Sequence, residues 1–179
     1  MPMSQDFAEL ARQEVGAEPL ETGMMIEVPS AVVMAQELAK EADFFSIGTN
    51  DLMQYLLAVD RNNSSVSYLY SPFHPAVVDI LYEIRKTVAA IGKEVTVCGE
   101  MAGKTFTALM LMGMGYTSFS MSPLAIAEIK RIFTRIHYGY IKKTVKQITK
   151  LGSKTEIEEF LVETLLKKYP DLFIKPPDF

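Results

Sequence analysis

The sequence predicts an α/β fold in which parallel strands are covered by helices, and three observations carry that expectation. Short apolar runs alternate four times with segments of helical spacing between Met24 and Ile136. The runs are apolar throughout instead of alternating with polar residues, as strands buried between helices are. Glycine and proline punctuate the joints, with Gly48 and Gly92 closing elements and Pro75 and Pro123 opening them.

Taken in order, Ser4 to Val15 places Phe7, Leu10, Ala11 and Val15 at helical spacing, capped at Ser4 or Asp6 and stopped by Gly16. Met24 to Pro29 is a short strand interrupted by one carboxylate, Glu27. Ser30 caps a helix that turns Val32, Val33, Leu38 and Ala39 inward and closes near Ala42. Phe44 to Gly48 is the second strand, ending in Thr49-Asn50-Asp51, and Leu52 to Val59 is helical. A long loop from Asp60 to Pro75 follows, rich in turn formers and aromatics, of the kind that often carries function. Pro75 opens a helix with Val77, Ile80, Leu81, Ile84, Val88 and Ile91 on one face. Val95 to Cys98 is the third strand, followed by a helix from Thr105 to Met112. Thr117 to Met121 is the fourth strand, and a helix runs from Pro123 to Ile136. Met110, Met112 and Met114 read as adaptable core packing. The tail holds two amphipathic segments, Ile141 to Ile148 and Ile157 to Lys168, joined at Leu151-Gly152-Ser153, and a frayed end, Ile174 to Phe179.

Composition narrows the function classes. With 179 residues, a net charge of -4 and 49% hydrophobic residues, the chain can bury a core of its own. The acidic balance argues against nucleic acid as partner, since phosphate backbones need clustered Lys and Arg. An anionic ligand must therefore be held by a few local cations or a metal. The single cysteine, Cys98, excludes an internal disulfide and fits a reducing cytoplasm. There is no apolar run of about 18 residues for a membrane span and no signal-peptide core at the polar start.

Chemistry concentrates at strand ends. Val95-Thr96-Val97-Cys98-Gly99-Glu100-Met101-Ala102-Gly103 delivers a thiol into a glycine turn at the carboxyl end of a strand, where α/β folds place active sites. Taken alone, Cys98 reads as a buried, inert thiol, and it is the wording around it that points to chemistry. Glu27 and Asn50-Asp51 lie at the ends of two other strands, so in a barrel all three groups point to one mouth. Two carboxylates on adjacent strands suit Mg2+, which takes oxygen ligands and keeps waters and substrate phosphate in its shell. Separately, Asp51 reads as an N-cap and Glu27 as a buried acid paired with an arginine. A carboxylate in mid-strand between Ile26 and Val28 is costly to bury without a cation.

The wording of these segments resembles the phosphoenolpyruvate-utilising enzymes, in the form found in enzyme I of the bacterial phosphotransferase system. Cys98-Gly99-Glu100-Met101-Ala102-Gly103 is similar to that family's cysteine loop, and Met25-Ile26-Glu27-Val28-Pro29 to its metal-glutamate strand. Asp43 to Leu52, which reads DFFSIGTNDL, resembles the signature bearing the metal aspartate. Ala58 to Asn62, Tyr68 to Val77 and Phe119 to Ser122 are similar too, so the likeness runs from about residue 23 to 130 in order. Related pyruvate phosphate dikinases usually have His-Gly-Gly after Cys-Gly-Glu, so Met101-Ala102-Gly103 favours enzyme I.

The resemblance implies the carboxyl-terminal half of a (β/α)8 barrel over residues 1–137, with a helical extension over 138–179. Four βα units are too few to close a barrel, and an open parallel sheet is the structural alternative. It further implies that Glu27 and Asp51 hold Mg2+, Asn50 and Asp51 bind phosphoenolpyruvate, and Arg61 contacts its phosphate. A guanidinium suits phosphate through two parallel donors, although elsewhere Arg61 would read as a surface ion pair with Asp60 or Glu41. Cys98 is implied as the acid that protonates enolpyruvate to pyruvate. The implied partners are a histidine phosphocarrier protein, reached through domains this chain lacks, and a second copy in a homodimer, in the cytoplasm.

The family's threonine-serine-histidine nucleophile is absent, and neither His74 nor His137 replaces it. Two phosphate arginines of the family belong to the missing barrel half, and Arg12 and Arg85 are poor substitutes. The isolated chain is therefore expected to be inactive. Two readings from other classes stand beside this one: an interaction module that dimerises through its open half-barrel, and a pyruvate-forming aldolase on a similar metal barrel that has no need of Cys98.

Overall fold

The computed structural model describes Leu10, Glu14, Gly16 and residues 21–173. The helix expected over 4–15, apart from Leu10 and Glu14, and the terminal segment 174–179 lie outside the described residues. Four strands, β1 (Gly23–Ile26), β2 (Phe44–Gly48), β3 (Glu94–Cys98) and β4 (Ser118–Ser120), form one parallel sheet in the order β1-β2-β3-β4. Ile26 pairs with Ile47, Gly48 with Cys98, and Cys98 with Ser120. Parallel crossovers are right-handed almost without exception, so an order that never reverses puts every connecting helix on one face. Doubly wound open sheets reverse their order and carry helices on both faces. The sheet is thus an arc of four βα units, half of a (β/α)8 barrel, followed by C-terminal helices.

Burial along the strands follows from this winding. Phe45, Ile47, Val95 and Val97 are buried under the helices. Ser46, Thr96 and Cys98 are only partly buried, and Met25, Ser118 and Ser120 are exposed, on the face that a closed barrel turns inward. That inner face carries Ser46, Gly48, Thr96, Cys98, Ser118 and Ser120, with Phe44 and Glu94 at the strand starts, so it reads as apolar only where the run is taken without its parity.

The connections explain several shifted boundaries. The first crossover is two pieces, α1 (Pro29–Val33) and α2 (Ala35–Leu38), broken at Met34. Pro29 takes the first helical position, so Val28 and not Ser30 is the N-cap. Helix α3 (Thr49–Leu57) begins three residues before the expected start because Gly48 is its N-cap. It stops at Ala58, which adopts a left-handed conformation at φ 52°. After a 3-10 turn at Ser67–Leu69, α4 (Pro75–Ala90) is capped by His74, whose Nδ1 accepts the Ala76 N–H at 3.2 Å. A short helix α5 (Glu100–Gly103) precedes α6 (Thr105–Met114) and then α7 (Pro123–Phe133).

Helices α8 (Tyr138–Ile148) and α9 (Lys154–Lys168) complete the chain, the latter opened by a reciprocal capping box between Ser153 and Glu156. Helix α6 is apolar all round, with Phe106, Leu109, Met110 and Leu111 buried, because α8 covers it. No helix among the described residues is long and apolar enough to cross a membrane.

Tyr116 anchors the far side of the core, its hydroxyl donating to the Leu81 carbonyl at 2.7 Å. Burial holds this phenol protonated far above the usual tyrosine range. An unfolded tyrosine ionises near pH ~10. Above that pH the unfolded state releases a proton that the folded state keeps. The contribution is therefore fully present below pH ~10 and declines as pH rises, by about 1.4 kcal/mol per unit. Tyr116→Phe is expected to flatten this alkaline loss between pH ~10 and ~12 while costing about 1 kcal/mol at neutral pH for the lost buried hydrogen bond, since the Leu81 carbonyl keeps its place in the α4 ladder. Urea midpoints across that pH range measure both effects, and an unaltered slope in the variant would contradict this assignment.

Candidate active site

The carboxyl ends of β1, β2 and β3 bring their loops to one edge of the arc. Glu27 lies one residue beyond β1 and is partly buried, so the desolvation cost inferred for a mid-strand carboxylate does not apply in full. It leans over the end of β2: a Cβ added at Gly48 would stand 2.9 Å from Glu27 Oε2. That glycine keeps the strand end open for the carboxylate. Asp51 is the third residue of α3, in its first turn and not the N-cap, where the helix dipole favours a negative charge.

Asn50 joins the second and third loops. Its Oδ1 accepts the Glu100 N–H at 3.2 Å, leaving its amide NH2 to donate elsewhere. Thr49 is fully buried and donates to the Cys98 carbonyl at 2.8 Å, which pins α3 to the end of β3. Gly99, at φ 104° and ψ -174°, turns the chain from Cys98 into α5. The Cys98 thiol donates to the Ile47 carbonyl at 3.0 Å and accepts from Ser46 Oγ at 3.5 Å. The sulfur is thus a partly exposed thiol held by two polar neighbours.

A cleft of about 480 Å3 opens here, lined by Asn50, Cys98, Gly99, Glu100, Lys104 and Met121 among others. Glu27, Asp51 and Arg61 are not among its lining residues. Arg61 follows α3 in the loop, its backbone N–H donating to Gln54 Oε1 at 3.4 Å. Its Nη1 is buried and has no hydrogen-bond partner. Tyr70, from the same loop, donates its hydroxyl to the Asn50 carbonyl at 3.0 Å. Burial raises the Tyr70 phenol above its ordinary value; a hydrogen bond from Arg61 opposes that shift, and the charges of Glu100 and Asp51 add to it. The Tyr70 hydroxyl thus bonds to Asn50 within the field of the Arg61, Asp51 and Glu100 charges.

Sequence reasoning missed Thr49, Ser46 and Tyr70 as members of this site. Register parity carries a signal for Ser46, which faces the same way as Thr96 and Cys98 on the next strand. His74 is a helix cap, and Arg85 donates through Nε to the Gly115 carbonyl at 2.7 Å, away from this edge.

The donor set can be tested for Mg2+. Among the described residues no group of three or more His, Cys, Asp or Glu is placed to hold a metal. Mg2+ needs fewer, because it binds through one or two carboxylates and completes its octahedron with waters and substrate oxygens. Glu27, held over the Gly48 cradle that opens α3, and Asp51 in the first turn of that helix fit such an ion.

Residues 3–138 match the family described as PEP-utilising enzyme, PEP-binding domain. The chain is 42% identical over 148 residues to the phosphoenolpyruvate-protein phosphotransferase of Haemophilus influenzae, covering 83% of this chain and 26% of that protein. It is 43% identical over 148 residues to the protein of that name in Priestia megaterium, with the same coverage. The Latilactobacillus sakei protein is 37% identical over 158 residues, covering 88% of this chain and 28% of that one. The chain thus spans about a quarter of the length of these relatives. A solved citrate lyase from Burkholderia xenovorans superposes with a TM-score of 0.53 at 17% identity, over 91% of this chain and 58% of that one, which speaks to the fold alone. On the family match and these identities, the chain belongs to the PEP-utilising enzymes and carries their PEP-binding domain.

Proposed function

We propose that this chain supplies the Mg2+–phosphoenolpyruvate half-site of a phosphoenolpyruvate-protein phosphotransferase. The observation that carries the reading is Arg61 Nη1, buried and without a hydrogen-bond partner among the described residues. A buried donor left unpaired costs free energy, and an anionic oxygen relieves that cost through a charge-assisted bond.

In this scheme Arg61 and Asn50 bind phosphoenolpyruvate, with Glu27 and Asp51 holding Mg2+. When bound, Mg2+ neutralises charge on the phosphate and enolate oxygens. Arg61 orients the phosphate while the free amide NH2 of Asn50 donates to the ligand. The bond between phosphorus and the enol oxygen breaks, and the phosphoryl group leaves to a histidine this chain does not carry. The Cys98 proton then passes to the methylene carbon, giving pyruvate and a thiolate. Ser46, already donating to the sulfur, remains to stabilise that thiolate. The onward acceptor is a histidine phosphocarrier protein, bound through parts outside this chain. The open sheet edges support a homodimer. Residues 138–179 serve as a helical extension, with α8 laid against α6.

Calorimetric titration of phosphoenolpyruvate into this chain tests the scheme. Saturable binding that requires Mg2+ is expected, weakened at least about tenfold in Asp51→Ala and in Arg61→Ala. Binding indifferent to Mg2+ and to both substitutions, or no binding by the folded chain, overturns it.

A further inference from the structure

Helix α3 carries two polar side chains one turn apart, Asp51 in its first turn and Gln54 three residues on, so the two are neighbours on one helix face. Gln54 holds the chain that leaves the helix at two points. Its backbone carbonyl accepts the Val59 N–H at 3.1 Å, and its side-chain oxygen accepts the Arg61 N–H at 3.4 Å. The turn between is made by Ala58, at φ 52° and ψ 40° the one non-glycine residue with a positive φ among the described residues. Such a conformation is costly for a residue with a Cβ and persists where the surroundings hold it. Beyond it Val59 is buried, Asp60 exposed and Arg61 partly buried, so the arginine turns inward on the same side as the Val59 anchor. Asp60 Oδ1 then accepts the Asn62 N–H at 2.9 Å, which closes a local turn around Arg61. At the end of that side chain, Nη1 is buried without a hydrogen-bond partner among the described residues. A loop free to move would carry such a donor to water, so the fixed backbone of Arg61 is what keeps it inside.

We propose that Gln54 is a positioning residue: its side-chain oxygen fastens the Arg61 backbone to the helix that bears Asp51, so that arginine and carboxylate keep one spacing before ligand arrives. The identity of the ligand rests on the half-site reading, whereas the fastening is a property of the empty site. Gln54 acts through Arg61, by removing loop freedom that binding would otherwise have to overcome.

Gln54→Met keeps the length and helix propensity of the side chain and removes its carbonyl acceptor. The first readout is amide hydrogen exchange in the ligand-free chain. The Arg61 amide is expected to exchange at least about tenfold faster in Gln54→Met, while the Val59 amide, bonded to the Gln54 backbone carbonyl, keeps its rate. The second readout is phosphoenolpyruvate affinity with Mg2+, expected to fall about fivefold in Gln54→Met, and to fall no further when Gln54→Met is added to Arg61→Ala. An Arg61 amide that exchanges equally fast in both chains overturns the inference, whatever happens to the urea midpoint. So does an affinity loss that is undiminished in the Arg61→Ala background. Faster Arg61 exchange in a chain that binds no phosphoenolpyruvate upholds the fastening and strikes the half-site reading alone.

Discussion

Gly99→Ala is expected to destabilise the fold by about 3 kcal/mol and to dismantle the strand edge that carries Cys98. At φ 104° and ψ -174° Gly99 occupies a backbone region essentially closed to residues with a side chain. Room is lacking as well as conformation. An added Cβ would stand 3.1 Å from Asn50 Oδ1 and collide with Thr49 Oγ1. Thr49 is fully buried and its hydroxyl is committed to the Cys98 carbonyl, so it cannot withdraw without leaving both groups unpaired. Strain of about 1–3 kcal/mol and a lost buried hydrogen bond worth about 1 kcal/mol therefore add, with little relief from relaxation. A urea melt gives the loss directly through the midpoint at constant slope. If the variant melts with the unmodified chain, the glycine conformation is not required and this account of the turn fails.

Gly113→Ala is the second large effect, and here two terms compete. Alanine in a helix interior is favoured over glycine by about 1 kcal/mol. Against that, the new Cβ would fall on Val145 Cγ2 and stand 2.9 Å from the Ile141 carbonyl oxygen. Val145 is β-branched and buried, and a backbone oxygen cannot turn aside, so α8 must move off α6. Overpacking of this kind costs about 1–3 kcal/mol, occasionally more, and a clash against backbone belongs at the upper end. A net loss of about 2 kcal/mol is expected in thermal or urea unfolding. A gain in stability would mean that the α6–α8 contact yields and that helix propensity wins.

Much of the architecture is legible in the residues because apolar period and breakers agree. Pro75, Pro123 and Gly92 each mark a boundary that the backbone respects, and the four strands appear in chain order. What misleads is local. Thr49-Asn50-Asp51 looks like the end of the second strand, yet Gly48 caps the helix first and draws all three into its opening turn. Ser30 looks like a cap, but Pro29 has already claimed the first helical position. The open inner face hides in the strands because Thr96 is a good strand former and Ser46 is small, so neither interrupts an apolar run. In the site, Glu27, Asp51 and Cys98 declare themselves by chemistry at strand ends. Tyr70 does not, since its link to Asn50 spans a non-periodic loop and no spacing rule reaches across it.

The unreversed strand order has a consequence for how the chain assembles. Each strand pairs only with the strands next to it in sequence: Gly23 with Phe44, Phe44 with Glu94, Thr96 with Ser118. No pairing requires β1 to find β4. A closed barrel must join its first strand to its last and bear the loop-closure entropy of nearly its whole length. This arc bears it in steps, the longest being the crossover that holds the Arg61 loop. Each βα unit can therefore dock on the one already formed, as synthesis delivers it.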